Sequence, residues 1–294
     1  MKNLAGTFTA LVTPFNKGSI DFSSLKKLIH QQIEGGITGF VINGTTAESP
    51  TLSEAERDEL FKFVKSESQG RCTLIMGTGS NDTKKTIEES KKAEAMGADA
   101  ILVVVPYYNK PPQRGLYEHF KSVATAVKIP TILYNVPGRT ITSLETKTIR
   151  DLASVPGITA IKEATGKTDF AKEIIEACGK EFTMLSGDDG TYVEFLHAGG
   201  HGVISVATHV IPAQMVQWKK WVADGQVEKA RADIQKYSKL IDLLFVEANP
   251  IPVKKALQLM GILDSAELRL PLVELSPEHT EKLKAEMLKV GVLT

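Results

Sequence analysis

The sequence predicts an α/β fold, a (β/α)8 TIM barrel followed by a C-terminal helical extension. Short apolar runs recur eight times, and amphipathic stretches with apolar residues three and four positions apart lie between them. Strand and helix alternate at roughly 25 to 35 residues per unit. Eight parallel strands with crossover helices in about 210 residues fit a closed barrel better than an open, doubly wound sheet.

The predicted strands are apolar, β-branched runs bounded by turn residues, a pattern typical of strands buried on both faces. They lie at residues 7–12, 39–42, 73–76, 100–104, 131–134, 158–161, 183–185 and 202–206. The clearest helices between them are predicted at residues 53–66, 83–96 and 115–127.

The last third of the chain departs from this alternation. From about residue 212 the strands stop and helical patterns continue, including residues 226–245 and 252–260. The second of these helices follows a proline-rich turn, and proline is tolerated at the first helical position. We therefore expect a catalytic barrel over residues 1–224 and a helical domain over residues 225–294, packed on the barrel or on a partner subunit.

The composition is that of an ordinary globular protein, with 294 residues, 42% of them hydrophobic and 24% charged. The 35 basic and 35 acidic residues cancel without clustering, which argues against nucleic acid or an anionic membrane as a partner.

Neither a membrane span nor a signal peptide is evident, so we expect a cytoplasmic protein. Cys72 and Cys178 have no metal-ligand or disulfide pattern, and we predict no metal site. The histidines, including His197, His201 and His209, also lack ligand spacing.

Lys162 is the first candidate catalytic residue, because it lies at the C-terminal end of a buried strand. Barrel enzymes carry their reactive groups at these strand ends, and burial there favours a neutral, nucleophilic amine. The preceding strand ends in Tyr134 and is followed by a Pro-Gly turn that presents Arg139. Taken singly, each residue has an ordinary explanation: a lysine paired with Glu163, a core tyrosine and a surface arginine. Their occurrence on neighbouring strands favours a catalytic site.

Polar residues also follow other predicted strands. The segment 43–49 (NGTTAES) brings two hydroxyls and several amides to the end of the second strand, which suits a carboxylate, although it could also be only a helix N-cap. Segments 77–81, 106–112 and 186–190 follow strands three, four and seven. Tyr107 and Tyr108 in the second of these could also simply cover a hydrophobic surface patch.

The whole chain from residue 6 to about 272 resembles the dihydrodipicolinate synthase family, pyruvate-dependent class I aldolases of lysine biosynthesis. The resemblance is carried by the runs 44–49 (GTTAES), 105–111 (VPYYNKP), 133–140 (LYNVPGRT), 161–166 (IKEATG), 185–189 (LSGDD) and 249–254 (NPIPVK). It implies that Lys162 forms an imine with pyruvate, whose enamine then adds to L-aspartate 4-semialdehyde. The protonated imine is the electron sink, so no cofactor is expected.

The resemblance also implies roles for the surrounding residues. Tyr134, Thr45 and Tyr108 would form a proton relay, with Tyr108 supplied by a neighbouring subunit of a homotetramer built as a dimer of dimers. Thr45 and Thr46 would hold the pyruvate carboxylate, and Arg139 would pair with the semialdehyde carboxylate. Gly187 and the carbonyl of Ile204 match family positions near the imine and the second substrate.

Two positions depart from the family pattern. Ala47 replaces a usual glycine, so its backbone must take an angle that alanine tolerates, and we expect altered rather than absent activity. Lysine feedback in many members uses positions that match Ser49, Pro50, Glu54, Arg57, Asn81, Lys85 and Tyr107. Inhibited enzymes commonly carry an acid where this chain has Lys85, so we expect weak or absent inhibition by lysine.

Three other functions stay open at this point. One is a sister aldolase acting on N-acetylneuraminate or on 2-keto-3-deoxy sugar acids, which share the lysine and the tyrosine. Another is a pyruvate-binding or regulatory barrel that has lost catalysis. The third, a generic phosphate-binding barrel, lacks a convincing glycine-rich site after strands seven and eight.

Overall fold

A closed barrel of eight parallel strands is the centre of the fold within the described residues. The structure, a computed structural model, describes residues 4–293. The strands are β1 (Thr7–Ala10), β2 (Gly39–Ile42), β3 (Thr73–Gly77), β4 (Ala100–Val104), β5 (Thr131–Asn135), β6 (Ile158–Glu163), β7 (Thr183–Ser186) and β8 (Gly202–Ser205). They are hydrogen-bonded in the order β1-β8-β7-β6-β5-β4-β3-β2. Each predicted apolar run forms a strand, and the predicted barrel is confirmed.

Helices follow the strands and continue beyond the barrel as far as Lys289, which confirms the helical extension. They are α1 (Phe22–Glu34), α2 (Glu54–Ser68), α3 (Thr83–Met96), α4 (Gln113–Thr125), α5 (Pro137–Thr140), α6 (Thr146–Ala153), α7 (Thr168–Cys178), α8 (Tyr192–His197), α9 (Pro212–Ala223), α10 (Val227–Leu243), α11 (Ile251–Leu259) and α12 (Pro277–Lys289). Local sequence signals explain several ends: Ser53 and Glu56 form a capping box at the start of α2, and Gly97 closes α3 in the left-handed conformation. No helix in residues 4–293 is long and apolar enough to cross a bilayer.

By its internal contacts the chain forms two compact units. The first unit, residues 4–6 and 73–204, carries β3 to β7 and most of β8. The second unit, residues 7–72 and 205–293, carries β1, β2 and the C-terminal helices. The predicted boundary at residues 224 and 225 falls between α9 and α10 and stays a prediction, and the outer ends of the two predicted domains, Met1 and Thr294, lie outside the described residues.

A small antiparallel hairpin in the second unit was absent from the sequence prediction. Phe15–Asn16 pairs with Ser19–Ile20, and the two turn residues Lys17 and Gly18 both have positive φ, as a two-residue hairpin requires. Each strand has only two residues, too short to show alternation. The hairpin places the Phe15 side chain in the core.

His209 lies fully buried in the second unit and has a structural role. Its Nε2 accepts a hydrogen bond from the backbone N–H of Val12 (3.2 Å), and its Nδ1 lies 2.8 Å from the carbonyl oxygen of Val206. These partners require the neutral tautomer that carries its proton on Nδ1. Burial lowers the pKa of His209 from 6.5 to about 4.

Acidification should therefore destabilise the protein through His209. Its folded pKa lies below its ordinary value, so the unfolded chain binds more protons and the free energy of unfolding falls as pH drops from 7 towards 4. We expect a loss of about 2 kcal/mol from this residue between pH 7 and pH 5. Urea unfolding of His209→Gln should show a shallower dependence on pH, whereas exposed His197→Gln should follow the unmodified protein. An unchanged pH dependence in His209→Gln would contradict the assignment.

Candidate active site

Lys162 and Tyr134 lie side by side at the adjacent ends of β6 and β5. They are directly paired in the parallel register, so their side chains lie on the same face of the sheet. The Lys162 Nζ lies 4.4 Å from the centroid of the Tyr134 ring, and each residue is only 7% exposed. The structure thus places a buried amine against a phenol, as predicted from the strand ends.

Gly187 leaves the space that the Lys162 side chain occupies. A Cβ atom at this position would lie 2.8 Å from the Lys162 Cε and 2.5 Å from the Ala164 Cβ, both too close for real atoms. Ile204 lies on the next strand, one residue beyond the Val203–Ser186 pair, and is buried. Lys162, Tyr134, Gly187 and Ile204 therefore come together at the C-terminal ends of β5 to β8.

Arg139 belongs to the short helix α5, which starts two residues after β5. The Arg139 N–H donates to the Val136 carbonyl (2.9 Å), and the Thr140 hydroxyl donates to the carbonyls of Val136 (3.1 Å) and Thr142 (2.7 Å). These bonds form a compact turn at the end of the strand that carries Tyr134. The Arg139 side chain is exposed at that end.

Tyr108 stands apart from the other candidate residues, with 89% of its surface exposed and a φ of 74°. The loop that carries it is nevertheless ordered by hydrogen bonds. The Asn81 side chain donates to the Tyr107 carbonyl (3.2 Å), and the Asn109 side chain donates to the Asn81 carbonyl (2.8 Å). Asn81 and Tyr107, two of the predicted effector residues, are thus joined, and Lys85 is exposed in the first turn of α3.

Thr45 and Thr46 lie in the second unit, in the 3-10 helix Thr45–Ala47 that follows β2. The Thr46 hydroxyl accepts a hydrogen bond from the Asn249 side chain (2.8 Å). Ala47 is buried with the right-handed backbone of that helix, and the positive φ angles of this loop fall on Asn43 and Glu48 instead. Alanine is therefore compatible with the loop, as the sequence analysis required.

A buried ion pair holds this loop. Glu48, which begins the turn Ser49–Thr51, accepts a hydrogen bond from the ammonium of Lys254 at 2.5 Å, and both side chains are almost fully buried. The second carboxylate oxygen of Glu48 accepts from the backbone N–H of Arg269 (2.9 Å), and Lys254 also donates to the Glu267 carbonyl (2.8 Å). Burial lowers the pKa of Lys254 to about 8, with Glu48 opposing the shift.

Comparison with known proteins identifies the family. The dihydrodipicolinate synthetase family matches residues 3–290. The chain belongs to the dihydrodipicolinate synthetase family. The 4-hydroxy-tetrahydrodipicolinate synthase of Bdellovibrio bacteriovorus is 75% identical over 293 residues, covering both chains completely. The crystal structure of dihydrodipicolinate synthase from Thermotoga maritima is similar with a TM-score of 0.96 and 40% identity, covering 98% of this chain and 99% of that one.

A further structure, the chloride-inhibited dihydrodipicolinate synthase of Acinetobacter baumannii complexed with pyruvate, has a TM-score of 0.96 and 40% identity over 99% of this chain and all of that one. The chain is accordingly an enzyme of the lyase class. Among residues 4–293, no three histidine, cysteine or acidic side chains converge in a way that could hold a metal ion.

The residues that support the family loop 44–49 have no role predicted from the sequence. Asn249 and Lys254 belong to the family run 249–254, and Phe15 lies outside every predicted element. In the structure the Lys254 ammonium lies 4.2 Å from the centroid of the Phe15 ring. One feature of the sequence could have predicted this role for Lys254. It follows the apolar residues Ile251, Pro252 and Val253 in a predicted helix, and a lysine that is buried with apolar neighbours needs a partner of opposite charge.

Removing the ammonium of Lys254 should destabilise the fold strongly, because Glu48 would be left as a buried, uncompensated charge. We expect Lys254→Ala to lower the free energy of unfolding by about 3 to 5 kcal/mol. Lys282→Ala is the matched control, since Lys282 forms a solvent-exposed pair with Glu278 that should contribute little to stability. Urea unfolding at one protein concentration measures both, and equal losses would refute the assignment.

Proposed function

We propose that Lys162 forms a Schiff base with pyruvate and that the resulting enamine adds to L-aspartate 4-semialdehyde. The products are 4-hydroxy-tetrahydrodipicolinate and water, in the first committed step of lysine and diaminopimelate biosynthesis. The observation that carries the proposal is the buried Lys162 amine packed against the Tyr134 ring. Full-length identity of 75% to a 4-hydroxy-tetrahydrodipicolinate synthase supports the substrates and the product.

The chemistry follows from an amine in a water-poor site. Its lone pair attacks the ketone carbon of pyruvate, and loss of water gives a protonated imine. The imine withdraws electrons, so a methyl proton is lost and an enamine forms, which attacks the aldehyde carbon of the semialdehyde. The substrate amine then displaces Lys162 by cyclisation. The proton transfers need a nearby general acid or base, and the Tyr134 phenol is suited to that role.

The proposal assigns the carboxylates of the two substrates to different residues. Thr45 and Thr46 take the pyruvate carboxylate, because hydroxyls and the amides of a loop are good donors to an anion. Arg139 takes the carboxylate of the semialdehyde, since a guanidinium offers two parallel donors. Gly187, which has no side chain to displace that of Lys162, and the carbonyl of Ile204 are assigned to the neighbourhood of the imine. No cofactor takes part.

We also propose that the enzyme is an oligomer in which Tyr108 contributes to the active site of a neighbouring subunit. A tyrosine that is 89% exposed with a left-handed backbone is poorly explained by an isolated chain, and Tyr108 would complete the proton relay of a neighbouring subunit. This supports a homotetramer made of two dimers, with the active site shared across an interface. A biosynthetic enzyme acting on these two metabolites is expected in the cytoplasm.

Borohydride trapping tests the Schiff base. Incubation with pyruvate and borohydride should add a reduced pyruvyl group to Lys162, and a coupled assay with aspartate semialdehyde should show turnover. Lys162→Ala should lose both, while the exposed Lys172→Ala should retain both. An adduct without turnover would indicate a sister aldolase instead. A fully active Lys162→Ala enzyme would eliminate the mechanism.

Lysine should inhibit the enzyme weakly or not at all. Lys85 is exposed near Asn81 and Tyr107, and its positive charge would repel the ammonium groups of a lysine effector. Steady-state assays should give an inhibition constant far above physiological lysine concentrations, and Lys85→Glu should lower that constant. Inhibition of the unmodified enzyme at physiological lysine would contradict the prediction.

A further inference from the structure

We propose that Glu163 is a positioning residue for the Schiff-base lysine, acting from the opposite face of the strand. The inference rests on the proposed function of Lys162 and extends it to a polar cluster that the mechanism does not use. This cluster consists of Asn135, Ser143, Glu163 and Thr165. It connects the ends of β5 and β6, which carry Tyr134 and Lys162.

The register explains why the cluster can act on the catalytic pair. Asn135 and Glu163 are paired directly after Tyr134 and Lys162, and successive side chains of a strand point to opposite faces. Glu163 lines a small cavity with residues of α7 and α8, including Thr168 and Phe195, so it faces the helix layer. Lys162 therefore faces the interior of the barrel, and the two residues share one backbone segment.

Both carboxylate oxygens of Glu163 are used. Oε1 accepts hydrogen bonds from the Thr165 N–H (2.9 Å) and the Asn135 side chain (3.3 Å), and Oε2 accepts from the Thr165 hydroxyl (2.9 Å). The backbone carbonyl of Glu163 accepts from the Gly187 N–H (2.7 Å). Glu163 thus ties β6 to β5 through its side chain and to the segment after β7 through its backbone.

Asn135 extends the connection towards the loop that carries Arg139. Its side-chain oxygen accepts hydrogen bonds from the Leu144 N–H (3.0 Å) and the Ser143 hydroxyl (3.4 Å). Asn135 is fully buried and Glu163 is 2% exposed, so water cannot readily replace these partners. The same cluster therefore connects the strand ends of Tyr134 and Lys162 with the segment that follows α5.

An ion pair between Glu163 and Lys162 does not account for these contacts. The two side chains lie on opposite faces, and the hydrogen bonds that Glu163 accepts come from neutral donors. Burial raises the pKa of Glu163, with the bonds from Thr165 and Asn135 acting in the opposite direction and the charge of Asp188 adding to the rise. A buried carboxyl group that binds only neutral donors is suited to fixing the relative positions of the strand ends that carry those donors.

Loss of the cluster should slow imine formation more than it weakens substrate binding. A displacement of about 1 Å at a reacting group can cost about 100-fold in rate. We expect Glu163→Ala to lower kcat and the single-turnover rate of borohydride-trapped adduct formation by 10- to 100-fold, with the KM for pyruvate changed less than threefold. Glu163→Gln should recover most of the rate, because an amide still bridges Asn135 and Thr165.

Two further variants keep the test decisive. Thr165→Val changes the volume little and removes the hydroxyl that donates to Glu163 and accepts from the Lys167 N–H (3.2 Å), and it should lower the same rates by about three- to tenfold. Glu173→Gln alters an exposed carboxylate on α7 and should change neither rate. Circular dichroism at the assay temperature shows whether each variant is folded, and Thr165→Val serves if Glu163→Ala is not.

Unchanged adduct formation in folded Glu163→Ala or Thr165→Val would overturn the inference. So would a change confined to the KM for pyruvate, or a Glu163→Gln enzyme as slow as Glu163→Ala. The proposed function fails separately, since its tests use the unmodified enzyme and Lys162→Ala. It is refuted if the unmodified enzyme forms no adduct on Lys162 or forms one without turnover, or if Lys162→Ala is fully active. Slower trapping with intact folding and rescue by glutamine would establish the positioning role.

Discussion

The register between β5 and β6 is the constraint on which the active site of the first unit depends. It pairs Tyr134 with Lys162 on one face and Asn135 with Glu163 on the other. A slip of one residue would exchange the two faces and place a carboxylate where the amine is needed. The same slip would move the apolar residues Leu133 and Ile161, paired just before them, to the opposite face of the sheet. The register therefore decides which side chains form the candidate active site.

In the second unit, the main constraint is the buried ion pair between Lys254 and Glu48. Lys254 has no exposed surface, and the free energy needed to remove an ammonium from water is offset by the Glu48 carboxylate, the Glu267 carbonyl and the Phe15 ring. Such a pair gives less stability than an apolar core of equal volume, but it is directional. It connects Lys254 of α11 to Glu48, which has a left-handed backbone and lies two residues after Thr46. The ion pair thereby fixes the position of the loop that carries Thr45 and Thr46.

The barrel was predictable because its strands are buried on both faces and therefore appear as continuous apolar runs. The ends of the strands were less predictable. Strand β6 continues through Lys162 and Glu163, and β5 and β7 continue through Asn135 and Ser186, since backbone pairing extends past the last apolar residue. The opposite difference occurs in the first strand. It was predicted to run to Val12, but β1 ends at Ala10, although Leu11 and Val12 are buried. The pattern of apolar residues shows where a segment is buried. The backbone hydrogen bonds that define a strand need not end where the apolar run ends.

The sequence by itself determined the barrel, the family and the candidate residues Lys162, Tyr134 and Arg139, because strand ends are local features and a barrel collects its strand ends on one side. Only the tertiary structure decided which groups contact them. The contact of Lys162 with the Tyr134 ring, the close approach of Gly187 to the Lys162 side chain and the cluster of Glu163 join residues on neighbouring strands that lie more than 20 residues apart in the sequence. The partnership of Glu48 with Lys254 spans more than two hundred residues. Such contacts depend on packing in three dimensions, which no local pattern records.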